Sequence, residues 1–496
     1  RLLAEADASL RHRDVRQDQV AQQRHAVGQE PGGGCPVHHR GAAGRQQREI
    51  RGEYLTRRLV ESEESGWRAL WKRSGQQPVI RVEDALITGN LNLRAADLPY
   101  LLEFIRCRFE NTPDFRQTNL AGLVLADCRV PGINARNLTV TNDTVFVRCT
   151  MIGGYIDLAD AQLGGSLVLN DSELRLPRRR AMFADRLSVA GALLGLRLTV
   201  SGELRIPGIK VGGNLNLSGS TLRNRGRIAI NANGVQIGGS VRGDIDPRGI
   251  NPFSVAGLFY MHSATIKGDL RLRDAVLEPG IPATRRGESA HDDPVATLIT
   301  DRGEIRGDIQ LDQGFYSGGT IRMVSTRIGG DLRMSGATID LSWSRSARAA
   351  VTRPRRAVHV DGTVISGNLD ASGLTAHGQL RFADAQVRGS FQLNQATLVG
   401  PRTDVLQANR IQVGSNMDCR ESDVSGSLQF QGARFAANLD LRATRLVKPA
   451  WHRHRRTYKP AVDLRAARIG RALICAEGSR EFVAEGEVQM RRAVIE

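Results

Sequence analysis

The feature that constrains this chain most is a step of five. Apolar or small residues recur at Phe115, Leu120, Leu125, Val130, Ala135, Val140 and Val145, with a second column two residues earlier at Leu123, Cys128, Ile133 and Leu138. Neither an α-helix, at about 3.6 residues per turn, nor a flat strand, at two, has that period. A four-sided coil does. Each short side places two residues inward, and the next coil stacks one β-spacing above, ~4.8 Å away. Cys107, Cys128 and Cys149 stand 21 residues apart, one coil, so they are expected to stack in a single inward column.

Further along, the unit becomes eleven. Gly367-Asn-Leu369, Gly378-Gln-Leu380 and Gly389-Ser-Phe391 are copies at that spacing, as are Gly426-Ser-Leu428 and Ala437-Asn-Leu439. The consensus is G-[GNDS]-L-x-[LMF]-x-x-A-x-[LIV], clearest at residues 213–222 and 330–339. Two elevens make a coil of 22. Leu-x-Leu is a minimal strand with both leucines inward, and the glycines turn the corners. Aromatics at 5% and 53 glycines among 496 residues suit a narrow solenoid better than a bulky compact core. The expected fold is all-β: a right-handed parallel β-helix of roughly 15 coils, about 70 Å long. Its hand follows the usual chirality of parallel crossovers.

Three regions follow from the pattern. Residues 1–48, rich in Arg, Gln, Gly and His without apolar period, are expected to be a disordered basic segment. Between 49 and 77, Tyr54, Leu55, Leu59, Trp67, Leu70 and Trp71 recur at helical spacing, which predicts a short α-helical cap over the first coil. The coils occupy 78–496. Residues 482–495 stop in mid-repeat, which predicts a truncated C-terminus or an open coil available for end-to-end self-association.

The five-residue steps at 115–145, with Ala95-Ala96-Asp97-Leu98 and Ala135-Arg136-Asn137-Leu138, resemble the pentapeptide-repeat proteins and their β-helical relatives over roughly residues 79–496. The eleven-residue unit and the insertions depart from a strict pentapeptide run. In these respects the chain is similar to a group of long actinobacterial repeat proteins, some labelled membrane-associated oxidoreductase. The resemblance implies a solenoid and adds oxidoreductase as an alternative by label only. The residues themselves suggest first a non-catalytic scaffold or binding module, through the basic loops, and second a self-assembling structural protein, through the open last coil. Some pentapeptide-repeat proteins imitate DNA with an acidic surface, and a net charge of +17 argues against such mimicry.

That charge has an address. Insertions interrupt the coils after Leu174, Leu222, Leu277, Ile339, Leu398 and Leu446, each the last apolar residue of the consensus, so all should leave one corner. Residues 175–180 hold Arg175, Arg178, Arg179 and Arg180. Residues 341–359 hold Arg345, Arg348, Arg353, Arg355 and Arg356. Residues 445–459 hold Arg445, Lys448, Arg453, Arg455, Arg456 and Lys459. These stretches contain no Asp or Glu, and their fifteen positive charges nearly equal the net charge. The expectation is a basic ridge for a polyanion, nucleic acid or an anionic lipid surface, with a protein partner as the alternative. Trp343, Trp451 and Tyr458 lie in the same loops and are candidates for stacking on bases or sugars.

Other chemistry finds little footing. No GxxxxGK[ST] phosphate loop is present, and Gly153-Gly154, Gly212-Gly213 and Gly238-Gly239 read as repeat corners rather than a dinucleotide fingerprint. Cys35-Pro-Val-His38-His39 lacks a placed fourth metal ligand, and no cysteine pair forms CxxC. Glu203, Glu304 and Glu487 each follow a glycine and read as outward corner residues rather than an acid pair. The sequence therefore predicts no cofactor, no metal and no catalytic residue. No run of about 18 apolar residues appears, so no membrane span is expected. The cysteine pattern suits a cytoplasmic protein, with peripheral contact at a membrane open to it.

Overall fold

The computed structural model describes residues 48–61, 79–279, 296–341, 356–452 and 456–496. Over these the backbone winds as a parallel β-solenoid of about 17 turns. One regular coil shows the plan. Thr199–Arg205 supplies the first two faces with a corner at Gly202, Lys210–Val211 the third face, and Leu215–Asn216 the fourth. The next coil restarts at Thr221, 22 residues on, in parallel register with Thr199. Faces one and two belong to one continuous sheet, and faces three and four to another.

Each face carries an unbroken inward column. On face three it reads Val189, Val211, Ile237, Ile266 and Ile305, each opposite the next. On face four it reads Leu193, Leu215, Val241, Leu270 and Ile309. All ten are buried. Neither neighbour of a core residue along the column is solvent, so each fully buried Leu or Ile contributes about 1.5–3 kcal/mol of burial.

The consensus acquires physical reasons here. Its [NDS] position forms a ladder parallel to the axis, in which a side-chain oxygen accepts the backbone N–H of its equivalent one coil on. Asp269 Oδ1 accepts from Asp308 at 3.0 Å, Asp308 Oδ1 from Asp331 at 2.9 Å, and Asp331 Oδ1 from Asn368 at 2.8 Å. The preceding glycine is required by close approach: a Cβ on Gly307 would lie 2.0 Å from Asp269 Oδ1 and 2.9 Å from the Gly268 backbone.

The five-residue columns hold from Phe115 to Val140, all buried. At Val145 they slip. Thr144 pairs with Leu123 and Phe146 with Leu125, so Phe146 takes the buried place and Val145 points partly outward. The corner at 141–143 is one residue out of step with the pentapeptide phase, which moves the inward set by one. Cys107, Cys128 and Cys149 do stack, all buried, and the Cys107 N–H donates to Cys128 Sγ at 3.4 Å. The neighbouring Cys128 thiol and burial push the Cys107 thiol up, while contact with Cys128 pulls the Cys149 thiol down; all three are packed as small core residues.

At the start, Arg48–Arg51 adds a strand parallel to Ala85–Thr88, a rung too short to show periodicity. The helix Gly52–Glu61 follows, and buries Leu55 and Leu59 while Tyr54 stays exposed. The Tyr100 hydroxyl donates to Leu59 O at 2.6 Å, which ties the helix to the solenoid. Residues 1–47, and with them Cys35, His38 and His39, lie outside the described residues, as do Trp67, Leu70 and Trp71. Among the described residues, no helix is long and apolar enough to cross a membrane.

Candidate anion-binding edge

The six insertion points occupy one column. Leu174, Val200, Leu222, Val255 and Leu277 are register partners in turn on face one, followed by Ser317, Ile339, Ala376, Leu398, Val424 and Leu446. Each of these six insertions therefore leaves the corner between faces one and two, whereas residues 243–253 and the hairpin that pairs Ala476 with Glu481 lengthen the corner between face four and face one of the next coil.

The insertions also alternate. From face one to face two the chain takes four residues at Val200 to Leu204, Val255 to Phe259, Ser317 to Ile321, Ala376 to Leu380 and Val424 to Leu428. In the coils between, the same column positions are bridged by excursions: Leu174 to Met182, Leu222 to Ile230, Leu277 to Leu298, Ile339 to Val358, Leu398 to Leu406 and Leu446 to Val462. Neighbouring excursions are thus two coils, about 10 Å, apart. That is the thickness of one packed polypeptide layer, which consecutive coils could not provide.

The tight corners depend on glycine. Gly202, Gly257, Gly378 and Gly426 have φ of +130°, +138°, +142° and +144°. A Cβ on Gly202 would stand 2.5 Å from Leu176 O and 2.7 Å from Arg179 O, because the preceding excursion closes over it.

Excursions are bonded to the body and to one another. Asn224 Nδ2 closes its own excursion onto Ile228 O at 2.7 Å, and Gln379 Nε2 holds Asp404 O at 2.8 Å. The Arg402 N–H donates to Lys448 O at 3.0 Å, and the Ala450 N–H to Ser427 Oγ at 2.8 Å. Arg225 pairs with Glu278 at 2.5 Å.

Elsewhere on the surface many arginines are neutralised. Asp–Arg pairs join neighbouring coils at turn residues with positive φ, each bridged by two hydrogen bonds of 2.6–2.8 Å: Asp84–Arg106, Asp127–Arg148, Asp160–Arg186, Asp171–Arg197 and Asp384–Arg410. Arg410 holds the Asp384 carboxyl below the usual carboxylate range.

The basic residues expected to line the edge are placed differently from one another. Arg178, Arg179 and Arg180 are exposed within the first excursion. They share a cleft of about 770 Å³ with Gly153, Gly154, Tyr155, Leu176, Phe183, Glu203, Asn224, Arg227 and Ile228. Arg180 lies 3.5 Å from Glu203 and over the Phe183 ring at 5.5 Å, and Tyr155 meets Phe183 edge-on at 5.1 Å. Among the described residues, Arg178, Arg179 and Arg227 have no ion-pair partner. Arg456 is an exposed turn residue of the hairpin that pairs Trp451 with Tyr458. Those two rings pack edge-to-face at 4.8 Å.

Arg356 and Lys459 are engaged. Arg356 is half-buried, 3.3 Å from His359 Nδ1, and Lys459 Nζ donates to Asp404 at 2.5 Å. Arg345, Arg348, Arg353, Arg355, Arg453 and Arg455, with Trp343, lie outside the described residues. Glu304 sits on face three, away from Glu203, so the Gly-Glu positions do not converge. Among the described residues, no group of three or more His, Cys, Asp or Glu could hold a metal ion.

The sequence reading did not single out Tyr155, Phe183, Asn224 and Arg227. Tyr155 followed a Gly-Gly pair taken only as a corner, and its nearness to Phe183 and Arg227 appears only once coils are stacked. No family model matches the chain, and no curated protein matches its sequence. Among solved structures it is similar to HetL, a pentapeptide repeat protein involved in heterocyst differentiation regulation from the cyanobacterium Nostoc sp., at 12% identity. The match covers 67% of this chain and 95% of that one, with a TM-score of 0.22. The four-sided architecture itself rests on the strand register above.

Proposed function

We propose that this chain is a non-enzymatic scaffold that holds an anionic partner against its insertion edge. The observation that carries the reading is the single register column from which all six insertions emerge, combined with unpaired arginines on them. A solenoid grows by adding coils, so it can present one chemical group repeatedly along a line. Here that line carries Arg178, Arg179, Arg227 and Arg456, whereas on the body Arg106, Arg148, Arg186, Arg197 and Arg410 are bound up with aspartates of neighbouring coils, and Arg129, Arg327, Arg388 and Arg434 are, among the described residues, exposed without an ion-pair partner but not gathered on one corner. Guanidinium groups suit phosphate and carboxylate because their fork donates two parallel hydrogen bonds.

The test is binding to double-stranded DNA, single-stranded DNA and anionic vesicles across a salt series. The intact chain is compared with a form in which residues 342–355 and 449–459 are replaced by short Gly-Ser links. The expected result is binding that weakens steeply with salt, and a shallower slope for the shortened form, because each lost phosphate contact removes about 0.9 from the log–log slope on duplex DNA. Absence of binding at moderate salt, or identical slopes for the two forms, refutes the reading.

A further inference from the structure

We infer that the cleft between the first two excursions is a discrete site for a phosphorylated nucleoside, free or as one unit of a single strand. The inference rests on the reading of the edge as anion-binding and narrows it to one place and one ligand chemistry.

Three features of the cleft converge. The first is charge. Arg178, Arg179, Arg180 and Arg227 line a cleft that contains one acid, Glu203, leaving a local excess of three positive charges. Such an excess matches a group with several charged oxygens, a phosphate or diphosphate, better than a lone carboxylate. The second is a planar wall. Tyr155 is 42% exposed, and Phe183 braces its ring edge-on from the next coil. A ring fixed from one side and open on the other is a platform for a base. The third is acceptors. Glu203 presents a carboxylate, and Asn224, 6% exposed, spends its Nδ2 on Ile228 O and leaves Oδ1 without a partner. Acceptors of this kind suit ring amino groups or ribose hydroxyls. The backbone at Gly153 gives room, since a Cβ there would meet nothing within 4 Å.

The cleft depends on the alternation of corners. The short step at Met151 to Ile156 leaves Tyr155 uncovered, and the excursions at 174–182 and 222–230 form the walls. The volume of about 770 Å³ falls within the range of small-ligand sites.

The experiment titrates the full chain with ADP, with inorganic pyrophosphate, with a ten-residue oligothymidylate and with an acidic oligosaccharide. It uses wild type, Tyr155→Ala, the double variant Arg179→Ala/Arg227→Ala, and the chain shortened at 342–355. Far-UV circular dichroism and the unfolding midpoint confirm that each form is folded. ADP is expected to bind wild type and the shortened chain alike. Tyr155→Ala should weaken ADP about tenfold but leave pyrophosphate unchanged, as loss of one stacked base requires. The double variant should weaken both.

If only the oligonucleotide binds, with the same losses in Tyr155→Ala and the double variant, the nucleotide is recognised within a strand. The inference is overturned if pyrophosphate binds as tightly as ADP and the oligonucleotide. It is equally overturned if the oligosaccharide alone binds, or if nothing binds. Duplex DNA binding that depends on the excursions but ignores Tyr155, Arg179 and Arg227 would remove this site and leave the edge reading intact.

Discussion

At the scale of the residue, glycines of this solenoid do two different jobs, and mutation should separate them. Gly202 combines φ of +130° with a Cβ position 2.5 Å from Leu176 O, so Gly202→Ala should cost roughly 2 kcal/mol or more in urea unfolding. Gly336 has φ of +65° in open space, in a conformation that Asp274 and Gln313 adopt at other turns. Gly336→Ala should cost only about 1 kcal/mol. Equal losses would contradict the close-approach argument. Acid sensitivity also has a residue-level source. Burial opposes ionisation of Asp361, but hydrogen bonds from His359 and Arg381 outweigh it and hold the carboxyl below its usual range. A depressed folded pKa stabilises above the unfolded value, about 3.9, and that contribution disappears as pH falls through the folded one. Asp361→Asn should therefore be less stable than wild type near neutrality and lose less stability on acidification; parallel pH–stability curves would refute this.

At the scale of the element, the alternation of tight corners and excursions makes a two-sided prediction. Joining Leu398 to Leu406 through Ser-Gly-Ser, the sequence of the corner at 425–427, should leave a folded chain within about 1 kcal/mol of wild type, because surface connections tolerate shortening to a geometry the fold already uses. Replacing the tight corner at 201–203 with an eight-residue excursion should be destabilising by about 3 kcal/mol, since three excursions would then crowd consecutive coils. Unfolding midpoints of both variants check this, and tolerance of the lengthened corner would show that the alternation is incidental. Much of this element-level design was legible in the chain. The G-[NDS]-L motif marked the face-four corner, and the six exits were visible as the last apolar residue before each break. The alternation was not, because Gly202 and Gly257 resemble ordinary repeat glycines until the excursion above them is seen. The slip at Val145 was hidden for a similar reason: the buried place beside it falls to Thr144, a polar residue that no hydropathy pattern nominates.

At the scale of the whole molecule, the solenoid brings six insertions out of one register column, and the proposed function makes that column a line of cations. The three arginines at 178–180 were readable from composition alone, since they form a run without acids. Lys459 belonged to an equally basic run, yet it is committed to Asp404, which lies 55 positions earlier in the chain. Tyr155, Phe183 and Arg227 were invisible as a group because they come from separate coils, and only the stacking register brings them together. Sequence thus indicates how much charge an edge carries, while register decides which charges remain free. The most direct test of that claim is backbone hydrogen exchange of the intact chain with and without a saturating anionic ligand. The account predicts new protection at 175–180, 223–228 and 448–457, recurring along one corner, with faces three and four unchanged. Protection on faces three or four, with the excursions unaffected, would contradict it.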